Sequence, residues 1–314
     1  MEIYHLKYPD HLTVPEEEYA LAIGFFDGLH RGHQAVIEEA VSIAKKRGLT
    51  SAVMTFDPHP RHLFNKEQRQ LPYITTFEEK VKQLRKMGVD AVFFVTFDWE
   101  LAALQPSAFI DTFIRRMNVR HVVAGFDFTF GAKGEGTMHD MERLSEGQYE
   151  TTTIEKVSCD GEKVSSTRIR QAVHDGDMML AKALLGRFYK VKGTVVSGAA
   201  RGRTIGFPTA NIEVEPSVVL PSKGVYAVLF KVDGATYKGV CNVGVVPTFT
   251  DGEQGMTIEV HILHFDEMIY GKTIEIEWVE RLRDEQKFDS IEALIAQITN
   301  DKEKADDLLT KWLQ

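Results

Sequence analysis

Ala22-Ile-Gly-Phe-Phe-Asp-Gly-Leu-His-Arg-Gly-His33 is the stretch around which the first half of the sequence is organised. An apolar run of strand type leads into it, and its Asp-Gly pair and second glycine mark a tight turn. From His33 onward the apolar residues recur with helical spacing until Gly48, which ends the predicted helix. The pattern therefore predicts a strand, a glycine turn and a helix.

The turn brings two imidazoles, His30 and His33, to the N-terminus of the predicted helix. Backbone N–H groups and the helix dipole favour a phosphate there, and glycines let it approach the backbone. Imidazoles beside it can stabilise the charge that builds when an α-phosphorus is attacked and pyrophosphate leaves. A metal pair and two ordinary surface histidines are the alternatives. Neither explains the Asp-Gly-x-His-x-Gly-His pattern as a unit, and no third metal ligand is evident nearby.

Length and charge bound the class of protein. The 314 residues predict about two domains, and the formal net charge of −9 argues against a broad nucleic-acid surface. Cys159 and Cys241 have no metal-site spacing and are expected to be free thiols in a reducing compartment. No signal-peptide pattern or membrane-length apolar run is present, so we expect a cytoplasmic protein without a membrane partner. A weak homo-oligomer is left open.

Strands and helices alternate through the first half, which predicts a doubly wound parallel sheet. A second strand at 49–56 runs into Asp57-Pro-His-Pro-Arg-His62, a stiff segment at the sheet edge where ligands collect; a rigid loop is the alternative. The glycine loop after the strand at 121–128 matches neither a dinucleotide-binding loop nor a P-loop. Ser165-Ser-Thr-Arg168 opens a helix as capping residues do, but arginine in a first turn is unexpected unless an anion lies there.

The second half has a different pattern, and we place the domain boundary at Gly186, giving domains 1–186 and 187–314. Short strands at close intervals predict a β-barrel, followed by one helix. The predicted strands span 191–196, 224–232, 235–243, 256–263 and 273–279, and the helix spans 290–312.

A glycine-rich loop with arginines, which runs from Gly198 through Arg201 to Gly206, suits phosphates. Thr209 and Asn211 follow it and supply hard oxygen ligands on one face of an extended segment, which suits Mg²⁺. A surface loop and turn is an equally good interpretation of these residues alone.

Several motifs together carry a family resemblance. The His-x-Gly-His turn resembles the signature of bacterial FAD synthetases, and Gly206-Phe-Pro-Thr-Ala-Asn211 resembles that of riboflavin kinases. Asn242-Val-Gly244, Glu259-Val-His261 and Arg281-Leu-Arg283 extend the second resemblance. The chain thus resembles bifunctional riboflavin kinase/FAD synthetases over nearly its whole length. The resemblance implies a doubly wound parallel-sheet nucleotidylyltransferase domain followed by a C-terminal β-barrel with a terminal helix.

The resemblance also implies a role for individual residues of the first domain. It implies catalysis by His30, His33 and Arg168. It implies ATP contacts from Gly24, Phe26, Asp27, Gly32, Asp127, Ser166 and Thr167. It implies FMN contacts from Phe56, Pro58, Pro60 and Phe64.

In the second domain, Glu259 lies among β-branched residues, where a carboxylate usually just faces solvent. The resemblance implies instead that it acts as general base, or orients the ribityl hydroxyl that is phosphorylated. It implies ATP contacts from Gly198, Arg201, Gly206 and Pro208, a riboflavin contact from Arg283 and Mg²⁺ at Thr209 and Asn211.

The activities that the resemblance implies are phosphorylation of riboflavin to FMN and transfer of AMP from ATP to FMN, giving FAD and pyrophosphate. ATP, riboflavin and FMN are then substrates, and Mg²⁺ neutralises phosphate charge. A single-activity FAD synthetase with an inactive kinase-like domain is one alternative, and a flavin-binding regulator without turnover is another. The presence of Thr209, Asn211 and Glu259 argues against both.

Overall fold

The computed structural model describes residues 1–10, 17–59, 63, 72–198, 201–247 and 254–313. The chain divides into two compact units, Met1–Ser166 and Thr167–Gln314. The division lies upstream of the boundary predicted at Gly186, because the two helices that precede Gly186 belong to the second unit by their contacts. Where independent folding begins stays a prediction.

The first unit is built on a six-stranded sheet of order β1-β4-β3-β2-β5-β8, in which every neighbouring pair is parallel. Two small hairpins, β6-β7 and β9-β10, lie outside it. The strands are β1 (Glu2–Leu6), β2 (Tyr19–Ile23), β3 (Thr50–Asp57), β4 (Ala91–Thr96), β5 (Val119–Gly125), β6 (Thr129–Phe130), β7 (Gly136–Thr137), β8 (Glu150–Ile154), β9 (Ser158–Cys159) and β10 (Glu162–Lys163).

Helices cover this sheet, so both of its faces are buried. Along β2, Leu21 and Ile23 join one apolar cluster, whereas Ala20 and Ala22 join another that contains Val36 and other residues of α1. The helices are α1 (Arg31–Arg47), α2 (Phe77–Lys86), α3 (Trp99–Ala102), α4 (Pro106–Ile110), which continues as a π-helical turn (Asp111–Arg115), and α5 (Met138–Arg143).

The strand order determines where a ligand can bind. β2 lies between β3 and β5, and the crossover through α1 leads from β2 to β3, away from β5. Open parallel sheets bind ligands at such a switch point, beyond the carboxyl ends of the strands. The turn after β2 and the loop after β5 meet there.

The second unit is a closed barrel of order β11-β12-β15-β14-β13-β16, with every pair antiparallel. Its strands are β11 (Tyr189–Val196), β12 (Ala210–Val214), β13 (Gly224–Val232), β14 (Ala235–Pro247), β15 (Gln254–Ile262) and β16 (Thr273–Arg283). Its helices are α6 (Ser166–Asp175), whose first residue closes the first unit, α7 (Met178–Leu185), α8 (Arg201–Thr204) and α9 (Ile291–Thr310).

The barrel and its last helix confirm the predicted second fold. Ala305 and Leu309 of α9 are fully buried against Val225, Leu229 and Val240 of the barrel wall. β12 was not predicted as a strand, because it is short and follows a glycine- and proline-containing segment that reads as a loop.

Candidate active sites

The turn after β2 is shaped by the imidazole of His30, which caps α1. His30 has an extended backbone, and its Nδ1 accepts the backbone N–H of His33 at 3.2 Å. Because Nδ1 accepts, the proton of the neutral ring is assigned to Nε2. A Cβ on Gly32 would lie 3.2 Å from Cε1 of His30, so glycine at that position leaves room for the ring.

His33 stacks on His30, with ring centroids 3.5 Å apart and 17° between the planes. The ring of Phe26, which is 2% exposed, supports His33 edge-on at 5.3 Å. Burial lowers the pKa of His33 well below its usual value, and the neighbouring His30, Lys80 and Lys163 lower it further. Its Nδ1 has no hydrogen-bond partner among the described residues. A neutral ring whose Nδ1 has no partner can form a new hydrogen bond to a ligand in the cavity.

A cavity of about 270 Å³ lies at the switch point of the first unit, between this turn, the end of β5 and the residues Ser165 and Ser166. The lining includes five predicted ATP contacts beside the two histidines: Gly24, Phe26, Gly32, Asp127 and Ser166. Lys163 of β10 also lines the cavity, pairs with Asp127 and lies over the ring of Phe126 at 4.8 Å. No pattern in the sequence marks Lys163, since it lies in a two-residue strand of a small hairpin.

A second cavity, of about 320 Å³, is aromatic. It is lined by six phenylalanines: Phe25, Phe56, Phe97, Phe109, Phe128 and Phe130. Flat apolar walls of this kind suit a fused-ring ligand. Only Phe56 was predicted as a contact, because the other rings come from separate elements and each reads as an ordinary core residue.

The two cavities have a common wall. Phe25, Phe128 and Thr129 line both of them. The ring of Phe25 lies 5.3 Å from that of Phe56, on the aromatic side. A ligand in one cavity therefore approaches a ligand in the other at this wall.

Other predicted contacts of the first domain are placed differently. The carboxylate of Asp27, 4% exposed, accepts backbone N–H groups of Ile74 at 3.1 Å and Thr75 at 3.2 Å, and is not among the groups lining the cavity. The backbone carbonyl of Asp27 accepts a hydrogen bond from the hydroxyl of Ser166 at 2.8 Å. Pro58 is exposed beyond the end of β3.

The remaining predictions in that domain are not tested by geometry. Pro60 and Phe64 lie outside the described residues. Thr167 and Arg168 follow Ser166 in α6 but belong to the second unit, so their part in adenylyl transfer stays a prediction.

In the barrel, strand register brings polar side chains into one row. Asn211 of β12 pairs with Glu259 of β15, and Glu259 pairs with Asn242 of β14. Val225 of β13 and Arg283 of β16 continue the row. Residues opposite one another in register share a face of the sheet, so an amide lies on each side of Glu259. The sequence could not reveal Asn242 as a neighbour, because the pairing joins distant segments.

The amide of Asn211 is packed against the start of the glycine loop. A Cβ on Gly198 would lie 2.1 Å from Nδ2 of Asn211, a distance that no substitution could keep. Gly206 has a φ of +88°, which glycine adopts readily. The side chain of Arg201 lies outside the described part of the barrel.

The Pro-Thr-Ala-Asn segment is fixed by a histidine. Nδ1 of His261 donates to the carbonyl of Pro208 at 2.8 Å, and burial lowers the pKa of His261. Pro208 and Thr209 line a cavity of about 280 Å³ whose other walls include Met268 and Tyr270. These two side chains are 72% and 55% exposed, so the cavity opens beside an apolar rim.

Arg283 is oriented by the terminal helix. Its Nε donates to Oδ2 of Asp301 at 2.8 Å, and Asp301 is only 2% exposed. Its guanidinium lies 5.7 Å from the ring centroid of Phe288. The arginine is therefore held at the end of the row, beyond Val225, which separates it from Asn242.

Two further properties bear on the class of protein. Over the residues that the structure describes, no group of three or more His, Cys, Asp and Glu side chains could hold a metal ion. The described helices include none that is both long and apolar enough to cross a membrane.

Comparison with known proteins addresses both halves of the chain. The FAD synthetase family model matches residues 13–168, and the riboflavin kinase family model matches residues 185–309. A curated bifunctional riboflavin kinase/FMN adenylyltransferase of Listeria monocytogenes is 46% identical over 90% of each chain. That of Bacillus subtilis is 44% identical over 97% of each chain.

A solved structure agrees in fold over nearly the whole length. It is a crystal structure from Streptococcus pneumoniae described as a macrolide-efflux protein, with a TM-score of 0.88 and 34% sequence identity. The match covers 96% of this chain and 98% of that one. The names of the two family models and of the full-length relatives agree on function. The chain belongs to the family of bifunctional riboflavin kinase/FMN adenylyltransferases and is a transferase that phosphorylates riboflavin to FMN and adenylylates FMN to FAD.

Proposed function

We propose that adenylyl transfer takes place at the wall shared by the two cavities of the first unit. The observation that carries this proposal is the stacked pair of His30 and His33 at the N-terminus of α1, facing a cavity beside an aromatic one. ATP occupies the cavity that holds the histidines, and the flavin ring of FMN occupies the aromatic cavity. The phosphate of FMN then meets the α-phosphorus of ATP near Phe25 and Thr129.

In this proposal the protein supplies position and charge rather than a covalent nucleophile. The FMN phosphate attacks the α-phosphorus, and the bond to pyrophosphate breaks. Nε2–H of His30 and the ring of His33 donate hydrogen bonds to phosphate oxygens as negative charge builds on them. Lys163, Ser166, Thr167 and Arg168 assist by binding phosphates, and Asp127 faces the nucleoside.

We propose that riboflavin is phosphorylated on the barrel beside Glu259. Its carboxylate accepts the proton of the ribityl hydroxyl, or holds that hydroxyl in line with the γ-phosphorus of ATP. The neighbouring amides of Asn211 and Asn242 in the same register row support this role, since they fix what lies beside the carboxylate. Arg283 contacts riboflavin, while Gly198, Arg201, Gly206 and Pro208 border the ATP phosphates.

The divalent metal that both reactions require is proposed to be Mg²⁺. In the barrel, Thr209 and Asn211 offer a hydroxyl and an amide oxygen, which are hard donors that suit a cation held mainly by phosphates and water. Mg²⁺ bound there would neutralise phosphate charge. Two side-chain donors without a carboxylate would not hold it firmly before ATP binds, so metal and nucleotide are expected to bind together.

The cellular setting is also a proposal. Small-molecule substrates suffice for both reactions, and the net charge of −9 gives no support for a nucleic-acid partner. We propose that the enzyme works in the cytoplasm, at most as a weak homo-oligomer.

Chromatographic separation of flavins tests whether the protein has both activities. The protein is mixed with riboflavin, ATP and MgCl₂, and in a parallel reaction with FMN in place of riboflavin. We expect FMN and then FAD in the first reaction, and FAD in the second. If FAD forms in the second reaction but no FMN forms in the first, the protein has only the adenylyltransferase activity. If the protein binds flavin but forms neither product, both proposed sites are contradicted. Replacing MgCl₂ by CaCl₂ or ZnCl₂ tests whether the required divalent metal is Mg²⁺.

A further inference from the structure

Lys80 is a buried lysine behind the first active site. It lies on α2 and is 8% exposed. An ammonium group out of water is unfavourable unless it is hydrogen-bonded and near opposite charge. Its Nζ donates to the carbonyl of Phe25 at 3.1 Å and lies 3.4 Å from the hydroxyl of Thr55. Lys80 lines neither of the two cavities, so it does not face substrate.

Both hydrogen-bond partners of Lys80 involve one backbone atom, the carbonyl oxygen of Phe25. The hydroxyl of Thr55, itself fully buried, also donates to the carbonyl of Phe25, at 2.8 Å. This carbonyl therefore receives two side-chain hydrogen bonds, one from β3 and one from α2. Two donors satisfy both of its lone pairs and fix the plane of the peptide that joins Phe25 to Phe26.

That peptide is where the functional turn begins. Phe26, Gly28 and Leu29, which follow it, have positive φ values of 49°, 86° and 44°. Such a backbone is unfavourable for the two non-glycine residues and persists only where surrounding contacts impose it. The ring of Phe25 also forms part of the wall between the cavities. A shift of this peptide would therefore move both the wall and the histidines beyond it.

We propose that Lys80 is a positioning residue for adenylyl transfer, which with Thr55 holds the Phe25 carbonyl and so sets the turn that presents His30 and His33. The proposal rests on the proposed function of that site. It adds a second effect, since the positive charge of Lys80 acts on the ring of His33. Small displacements of reacting groups strongly lower reaction rates. We therefore expect the fixed turn to matter more for the rate of adenylyl transfer than for the stability of the fold.

Charged groups act on Lys80, and Lys80 in turn acts on His33. Asp27 in the turn and Asp57 at the end of β3 oppose the effect of burial, which lowers the pKa of Lys80. On the other side, His33 is influenced by His30, Lys80 and Lys163. Loss of the Lys80 charge should therefore raise the pKa of His33, an effect that a merely space-filling role would not produce.

The test compares Lys80→Met, which keeps the length of the side chain but removes its charge and donors, with Lys86→Met on the exposed part of the same helix. We expect Lys80→Met to lower kcat for FMN adenylylation about ten- to a hundred-fold. Riboflavin phosphorylation by the same preparation should be unchanged, and Lys86→Met should match the parent in both reactions. NMR titration of the histidine rings should show a higher pKa for His33 in Lys80→Met.

Thr55→Val keeps the shape of its side chain and removes only the hydroxyl. Because Thr55 and Lys80 act on the same carbonyl, we expect Thr55→Val to lower adenylylation several-fold and the double variant to lose less than the product of the two single losses. If Lys80→Met fails to fold, Thr55→Val tests the proposal by itself. Adenylylation by Thr55→Val at the rate of the parent would then overturn the proposal.

Two outcomes separate this inference from the proposed function. If His30→Ala abolishes adenylylation while a folded Lys80→Met retains it within two-fold, the positioning role is wrong and the site is right. If His30→Ala is fully active, the site itself is wrong. Reduced activity of Lys80→Met with an unchanged pKa of His33 would also overturn the electrostatic part of the proposal.

Discussion

The two candidate active sites are constructed by different means. In the first unit, a turn with positive φ values presents two histidines, and residues from β3, α2 and β10 hold or border it. In the barrel, Asn211, Glu259 and Asn242 lie side by side because three strands pair in register. The turn depends on a few individual side-chain contacts, whereas a register row depends on the whole ladder. Substitutions near the turn should therefore affect chemistry at positions that never touch substrate, and those around the row should act mainly through the residues in it.

The largest effect is expected from the two histidines. His30→Ala together with His33→Ala should lower FAD formation by orders of magnitude, since donors to a developing oxyanion contribute about 10²–10³-fold each. Riboflavin phosphorylation should survive. His139→Ala, an exposed histidine of α5, is the matched control. Comparable FAD synthesis in the double variant and the control, measured by flavin chromatography, would refute the assignment.

Glu259→Gln makes the corresponding test in the barrel. The variant keeps the size of the side chain but removes its basicity, so FMN formation should fall about 10²–10⁴-fold. Riboflavin binding, followed by flavin fluorescence, should be largely kept, and FAD synthesis from added FMN should be unchanged. Glu213→Gln, at an exposed position of β12, serves as control. Kinase activity within a few-fold of the parent would return Glu259 to an ordinary surface role.

Separate folding of the barrel sharpens the comparison further. A fragment from Gly186 to Gln314 should fold and phosphorylate riboflavin, because the barrel and α9 share a core.

A fragment from Thr167 should have a melting temperature at least about 5 °C above that of the fragment from Gly186. It keeps α7, whose Leu184 and Leu185 are buried and whose Lys182 lies 3.4 Å from the ring centroid of Trp312. Calorimetry with a riboflavin kinase assay checks both. A folded but inactive fragment from Gly186 would disprove the boundary.

The smallest effect concerns pH. The pKa of His33 is lowered in the folded protein, so the unfolded chain binds more protons just below the ordinary histidine value of about 6.5. Stability should therefore be fully present above that pH and fall as the pH decreases through the lowered pKa. His121, whose pKa burial also lowers, contributes in the same direction.

Thermal melting between pH 5 and 8 measures this dependence. His33→Asn should make the decrease shallower, and α,β-methylene-ATP should reduce it in the parent, because a bound anion favours the protonated ring. An identical slope in the parent and His33→Asn would show that His33 does not titrate in this way.

The sequence predicted those parts of the molecule that rest on local spacing. The strand, turn and helix around His30 are visible in the apolar period and the glycines, and Gly48 ends the helix as a left-handed cap. Thr76 caps α2 in an equally local way, accepting a hydrogen bond from the backbone N–H of Glu79. Each of these features is decided within a few residues of the chain.

Features made by distant segments were not predictable in the same way. Lys80 reads as a polar position of an amphipathic helix, and only its proximity to the Phe25 carbonyl distinguishes it. Phe97 and Phe130 look like core residues until the fold brings them around one cavity. Asn242 becomes a neighbour of Glu259 only through pairing of β14 with β15.

The shared wall of Phe25, Phe128 and Thr129 has a consequence for the release of product. In the proposed arrangement, FAD joins by one covalent linkage the flavin and the adenosine that the two cavities would hold as separate molecules. A linked pair is retained more strongly than either part, because loss of one contact leaves the other group close to its cavity. FAD should therefore leave slowly and compete with both substrates, so that turnover at saturating ATP and FMN is set by dissociation and declines as FAD accumulates.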